Sequence, residues 1–447
     1  MENVEKLNYN NGKPIQSYNR GDHMLIQFSV ENFRSIKNKA LFSMEAAKDE
    51  DHAVQVATIG KERILKTAAI FGANAAGKSN IFAALTAAIL MVRLSNTRQV
   101  EETLNMITPF AFSKETMEKP SSFEFVFLAS GKKYVYGFSA TREKVTEEYL
   151  YVYHSPRAST VFERTEEEYR FTNPSIKKEL EPISHRNTPN KLFLATATAW
   201  NAKSTQTPCL WFNLIDTYTN NYGDLIAKDI PMLENDTDQK LNHFICDLLA
   251  KADMNISAYE YKSQDEPAEK WLSRFPAEVR TMMPPEMIAG KHKVYTILMT
   301  HQVENHPGNA ESWQLNLNEE SQGTKSLFML SPVLYDAFLH GKIICIDEFD
   351  TSLHPLLVGY LVSLFHDPAV NTGNAQLIIS SHTTTLLSRR FLRDDEIYFV
   401  EKDKKTGVSD LYSLDEFSPR KQMNIRNAYL LGRFGAIPEI ENGEIVW

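Results

Sequence analysis

Phe71-Gly72-Ala73-Asn74-Ala75-Ala76-Gly77-Lys78-Ser79-Asn80 is the stretch that decides the fold. It meets the pattern G-x-x-x-x-G-K-[ST] at every constrained position. Ahead of it the apolar run Ala68-Ala69-Ile70-Phe71 reads as a buried strand, and behind it Ile81 to Leu90 is rich in helix formers. Strand, glycine loop and helix are the context in which such a loop cradles a phosphate. The glycines let the backbone wrap the anion, with successive N–H groups pointing inward. The helix that follows turns its positive end on the same charge. Gly72, Asn74, Ala75, Ala76, Gly77, Lys78, Ser79 and Asn80 are therefore expected to hold a nucleotide. Lys78 is expected to reach the β and γ phosphates, and Ser79 a Mg2+ ion. The competing reading is a glycine-rich turn that matches by chance.

Composition sets outer bounds. At 447 residues the chain has the length of one large or two to three ordinary domains. It is 43% hydrophobic and 23% charged, the balance of a soluble globular protein with ample material for a core. No run of about 18 apolar residues is present, so no membrane partner is expected. Cys209, Cys246 and Cys345 lie far apart without metal spacing, which suits a reducing, cytoplasmic setting. A formal net charge of −9 argues against gripping nucleic acid by bulk charge. A local basic strip of Arg389, Arg390 and Arg393 keeps that partner open.

Periodicity divides the chain. Residues 1–23 are polar and Asn-rich, with no apolar core of a secretory signal, and read as a disordered leader. The region 24–173 opens on an alternating strand at Met24, pairs it with Leu41-Phe42-Ser43-Met44, passes the phosphate loop and enters an antiparallel sheet. There Phe123 to Leu128 and Tyr134 to Ser139 flank Ser130-Gly131, a hairpin signal. Its alternating aromatics read as one packed face, against the alternative of a base-stacking platform. The region 174–291 reads as a helical insertion or lid. Leu241, Phe244, Ile245, Leu248 and Leu249 form one helical stripe, and Gln264 to Gly290 reads as an exposed loop. The region 292–447 returns to strands, with an apolar helix through about Leu339, kinked at Pro332, and three buried strands.

Those last strands carry candidate chemistry. Ile343-Ile344-Cys345-Ile346 ends in Asp347 and Glu348, as a buried parallel strand does where it enters a site. Asp347 is expected on Mg2+ and Glu348 as the base that activates water for ATP hydrolysis. His382 ends a second strand, placed two steps down the sheet, within reach of a γ-phosphate. Ser321-Gln322-Gly323 precedes a helix and offers an anion site, or a plain helix cap. An anion site so far along the chain suits a nucleotide held by a second copy.

Together these pieces resemble an ABC-type ATPase head of the SMC, RecF and OLD group. The likeness is carried by Val30-Glu31-Asn32-Phe33-Arg34-Ser35-Ile36, the phosphate loop, Ser321-Gln322-Gly323, the run Ile346 to Pro355 and Ser381-His382. It implies an α/β fold, an ABC-type P-loop ATPase head with an antiparallel β subdomain and a helical insertion. It implies Arg34 near the nucleotide, Asp350 in a loop that speaks across a head dimer, and Ser321 and Gly323 acting in trans. Gln99 is the candidate for a Q-loop glutamine, and the signature lacks a second glycine at Gln322. The chain most resembles the ATPase subunits of two-gene phage-defence systems of the PARIS, RloAB and AbiL kind. That likeness implies ATP and Mg2+ as cofactors, a homo-oligomer of at least a head dimer, a separate nuclease or toxin as effector, and a phage-derived trigger. The alternative is a RecF-like repair ATPase that binds DNA directly.

Overall fold

A computed structural model describes residues 21–218, 230–252, 254–284, 288–306 and 309–438. All but the last three residues of the expected leader lie outside them. The strands, in chain order, are β1 (Met24–Glu31), β2 (Ala40–Ser43), β3 (Val56–Ile59), β4 (Glu62–Leu65), β5 (Thr67–Phe71), β6 (Ser121–Ala129), β7 (Lys132–Ala140), β8 (Val145–Tyr153), β9 (Ala158–Thr165), β10 (Glu168–Arg170), β11 (Ile215–Tyr218), β12 (Ile256–Pro267), β13 (Lys291–His306), β14 (Asn309–Asn316), β15 (Ile343–Ile346), β16 (Gln376–Ser380), β17 (Ile397–Lys402) and β18 (Ser409–Ser413). They belong to two compact units. Within the described residues, one takes 21–218, 336–351 and 355–438, and the other 230–335 and 352–354.

The first unit is built on two large sheets, beside a small antiparallel pair of β3 and β4. The phosphate-loop strand lies inside the order β11-β15-β16-β5-β17-β18, in which the first five strands run parallel and β18 is antiparallel. Every residue of β5, β15 and β16 is buried, which is why each reads as an unbroken apolar run rather than an alternating one. The second sheet, β10-β9-β8-β7-β6-β1-β2, is antiparallel throughout. Ser130 and Gly131 take φ of 50° and 70°, the left-handed pair that a two-residue hairpin needs. Its aromatics are a packed face: Phe127 stacks on Trp211 at 3.9 Å, and Phe125 meets Phe212 edge-on at 5.1 Å.

Two polar devices fix how the strands meet. Gln376, fully buried at the start of β16, accepts from Leu25 N (2.7 Å) and donates to Leu25 O (3.0 Å) and Leu65 O (2.9 Å). One amide thus ties β1 and β4 to the parallel sheet with its hydrogen-bonding capacity well used. Ahead of β15, Lys342 pairs with Asp216 of β11 (3.2 Å) and with Asp336 (2.5 Å). Burial opposes the charge on Lys342, yet the two carboxylates outweigh it and raise its pKa.

The second unit holds the helix Lys240–Lys251, with Leu241, Ile245, Leu248 and Leu249 buried and Phe244 half-buried. It also holds the antiparallel sheet β12-β13-β14. This departs from the expected insertion in content and bounds. The helices Pro174–Ser184, Phe193–Ala199 and Lys203–Trp211 belong to the first unit, and β13 and β14 to the second. The stretch expected as a loop from Gln264 is strand to Pro267, followed by the short helices Ala268–Leu272 and Ala277–Thr281. β12 escapes a sequence reading because it is an edge strand that exposes most of its polar side chains, so its apolar alternation is weak. The helix Gln322–His340 runs on through Pro332.

Candidate nucleotide-binding site

The phosphate loop leaves the carboxyl end of β5 and enters the helix Lys78–Arg93. Backbone geometry explains its glycines. Gly77 has φ of 118°, and a Cβ there would lie 2.4 Å from Ser409 Oγ and 3.0 Å from Ser35 Oγ. At Gly72 a Cβ would lie 2.4 Å from Val400 O. Ala75 takes φ of 62°, unusual for a residue with a side chain. Asn74, Ala75 and Ser79 face solvent, while Ala76 and Lys78 are buried.

Lys78 folds back inside the loop and donates to Gly72 O (2.8 Å) and Ala73 O (3.2 Å). Burial lowers its pKa, and Asp347, Glu348 and Asp350 counter that by stabilising the cation. The three acids thus act on the lysine of the loop although about 270 residues of sequence separate them from it.

The sheet explains this convergence. β16 lies between β5 and β15, and Ser381 N donates to Ile70 O (3.1 Å) at the top of β5. All three strands end on the same edge, where open α/β sheets place their ligands. Ser380 Oγ donates to Asp347 Oδ1 (2.5 Å) and accepts from Glu348 N (2.7 Å). Glu348 sits at φ of 55°, in the left-handed region, held there by this bond. Asp350 Oδ2 accepts from His382 N (3.0 Å) and from Thr383 Oγ1 (2.7 Å). His382 itself is exposed. Its strand is the immediate neighbour of β5, one step away and not two, because β15 is the outer of the pair.

Arg34 adjoins the phosphate loop through its neighbour Ser35. It has φ of 51°, donates from its backbone to Thr108 O (2.8 Å), and lays its guanidinium 5.6 Å from the Phe33 ring centroid. Its neighbour Ser35 hydrogen-bonds Asn80 Nδ2 (2.7 Å) and Ser409 (2.8 Å). Ser380 and Ser409 were not singled out in the sequence. One is the last residue of an apolar strand and the other follows a turn, and neither position has a motif.

Other expectations fare differently. Gln99 is exposed and lies past the far end of the 16-residue helix that starts at the loop. The arginine strip is taken up internally. Arg389 pairs with Asp394 at 2.7 Å and donates to Lys421 O, and buried Arg393 pairs with Asp395 at 2.8 Å and donates to Asp51 O. Of the three, Arg390 alone is exposed, over the Phe391 ring. Ser321 and Gly323 belong to the second unit. There Ser321 Oγ accepts from Thr324 N (3.1 Å), the bond of a helix cap, and a Cβ on Gly323 would lie 3.0 Å from Ser352 O.

A family profile described as an AAA domain, putative AbiEii toxin, Type IV TA system, matches residues 68–199 and 212–388. The chain belongs to this family. With the phosphate loop after β5 and the acids after β15, it has an α/β fold that carries a P-loop and an antiparallel sheet. Among curated proteins none matches its sequence. Solved structures similar to it include an SMC head bound to the C-winged helix domain of ScpA (14% identity, covering 87% of this chain and 97% of that one, TM-score 0.40). Another is the SMC head domain from Thermotoga maritima (14%, 87% and 98%, TM-score 0.38). A third is an Smc head with an extended coiled coil bound to the C-terminal domain of ScpA, derived from Pyrococcus furiosus (13%, 89% and 98%, TM-score 0.38). Among the described residues, no helix is long and apolar enough to cross a membrane.

Proposed function

We propose that the chain binds and hydrolyses ATP between the heads of two copies, and that this switch governs a separate toxic effector in anti-phage defence. The observation that carries the ATPase half is the gathering of Asp347, Glu348, Asp350 and His382 on the sheet edge where Lys78 lies. Gly72 and Asn74 to Asn80 wrap the phosphates, Lys78 turns from its own loop carbonyls to the β and γ oxygens, and Arg34 approaches from the β1 side. Ser79 and Asp347 suit Mg2+, a hard ion that takes one or two protein oxygens beside those of the phosphates; when bound it neutralises phosphate charge. Ser380 occupies one oxygen of Asp347 and so orients the other.

Glu348 takes the proton from the attacking water, and His382 steadies the γ-phosphate. Asp350 couples the acid loop to the histidine loop, through the bonds it makes to His382 N and Thr383. Ser321 and Gly323 of a second copy close the site. The defence role rests on the resemblance and on the toxin–antitoxin wording of the family description.

Glu348→Gln separates binding from chemistry. The amide holds water and cannot take its proton, so ATP binding is expected to persist while turnover falls about 10²–10⁴-fold. Wild-type turnover in this variant, measured by phosphate release, would assign the base to another residue.

A further inference from the structure

The phosphate loop is held from outside by a chain of hydroxyls that the motif does not contain. Ser409 Oγ lies 2.7 Å from Ala76 O and 2.8 Å from Ser35 Oγ, and Ser35 Oγ lies 2.7 Å from Asn80 Nδ2. Ser35 and Ser409 are both buried. A second bond, Ser409 N to Ser35 O (2.8 Å), fixes the two serines face to face.

The ends of this chain are fixed by chemistry. An amide NH2 only donates and a carbonyl only accepts. Asn80 therefore donates to Ser35, and Ser409 lies in donor geometry to both Ala76 O and Ser35, dividing its single proton between them.

The last bond matters for ligand binding. A trans peptide points its C=O and N–H to opposite sides. Pulling Ala76 O toward Ser409 aims the Gly77 N–H the other way, and among the described residues this N–H has no acceptor. Gly77 is also where a Cβ would collide with Ser409 and Ser35. The bare glycine lets the two serines come close enough to hold the peptide.

We infer that Ser409, acting through Ser35 and Asn80, is a positioning residue that presets the Gly77 N–H for the phosphate of a bound nucleotide. The same relay anchors the turn that carries Arg34, so the arginine and the loop are set together. This inference rests on the nucleotide reading of the loop.

Calorimetry of ATP binding to the full chain tests it, in Ser409→Ala, Ser35→Ala and the double variant. Each single change is expected to weaken ATP about tenfold, the scale of one hydrogen bond. The double variant is expected to lose no more than either single, because the two serines hold the same Ala76 carbonyl as one unit. In steady-state hydrolysis the loss should fall on KM, with kcat little changed. The isosteric pair Ser409→Thr and Ser409→Val answers for folding, since the two differ only in the hydroxyl. Thr is expected to bind more tightly than Val by the same factor. Equal affinities in that pair, unchanged affinity in the alanine variants, or losses that multiply in the double variant would overturn the inference. Lys78→Ala is measured in parallel. A wild-type chain that binds no ATP would instead break the nucleotide reading, while loss in Lys78→Ala without loss in Ser409→Ala would break the relay alone.

Discussion

A hydroxyl gives one proton and can take two, and Ser380 uses both capacities on the acids of the site. It donates to Asp347 and accepts from the backbone of Glu348, so one small side chain orients the carboxylate proposed for Mg2+ and holds Glu348 in its left-handed conformation. Ser380→Ala leaves the Glu348 N–H without that acceptor and Asp347 without that donor. A hydrogen bond to a charged group is worth about 1.5–3 kcal/mol. We expect hydrolysis to fall roughly 10- to 100-fold with ATP affinity nearly kept, as read by phosphate release and calorimetry. Unaltered turnover would show that Asp347 and Glu348 orient without it. Residues that repeat a loop pattern were legible in the sequence: Gly77, Lys78, Asp347 and Glu348 stand where spacing and apolar runs put them. Ser380 and Ser409 were not, because their work depends on strands that meet only in three dimensions. Nor was the fate of Arg389 and Arg393, whose charges are balanced by Asp394 and Asp395 a few residues on.

At the scale of elements, β5, β15, β16 and the β6–β7 hairpin announce themselves through unbroken or alternating apolar runs. β12 does not, since an exposed edge strand carries little apolar signal. The neighbour relation of β16 and β5 was equally hidden, as order in a parallel sheet follows from crossovers rather than from chain order. The join between the end of the helix Gln322–His340 and β15 rests on charge. Burial works against ionising Asp336, but the His340 hydrogen bond and Lys342 outweigh it and hold its pKa below the ordinary 3.8. A carboxylate depressed in the folded state adds stability that is present in full above about pH 4 and is lost as the pH falls through its folded value. Lys342 is raised instead, so its share is present below 10.5 and is lost as the pH climbs past that value. Asp336→Asn is expected to cost about 3 kcal/mol at neutral pH, the scale of breaking one partner out of a buried pair. It should also flatten the acid limb of stability below about pH 4. Urea titrations from pH 3 to 7 read both effects. Parallel acid limbs in wild type and variant would place the acid sensitivity elsewhere.

At the scale of the whole molecule, we propose an ATPase whose site is completed by a second copy. Ser321 caps its own helix by accepting from Thr324 N, and the proposal takes that helix start to face another chain's phosphate. Mixing two defective chains tests this most directly. Lys78→Ala removes the cation that meets the phosphates, and Ser321→Arg puts bulk and charge where a partner's γ-phosphate would lie. Each variant alone is expected to bind or turn over ATP too poorly to register hydrolysis. A mixed dimer, however, holds one site with an intact Lys78 and an intact Ser321. Hydrolysis is expected to return on mixing, to about a quarter of wild type at equal ratios if chains pair at random and the sites act independently. No recovery at any ratio, with both variants folded and Ser321→Arg still binding ATP, would contradict it.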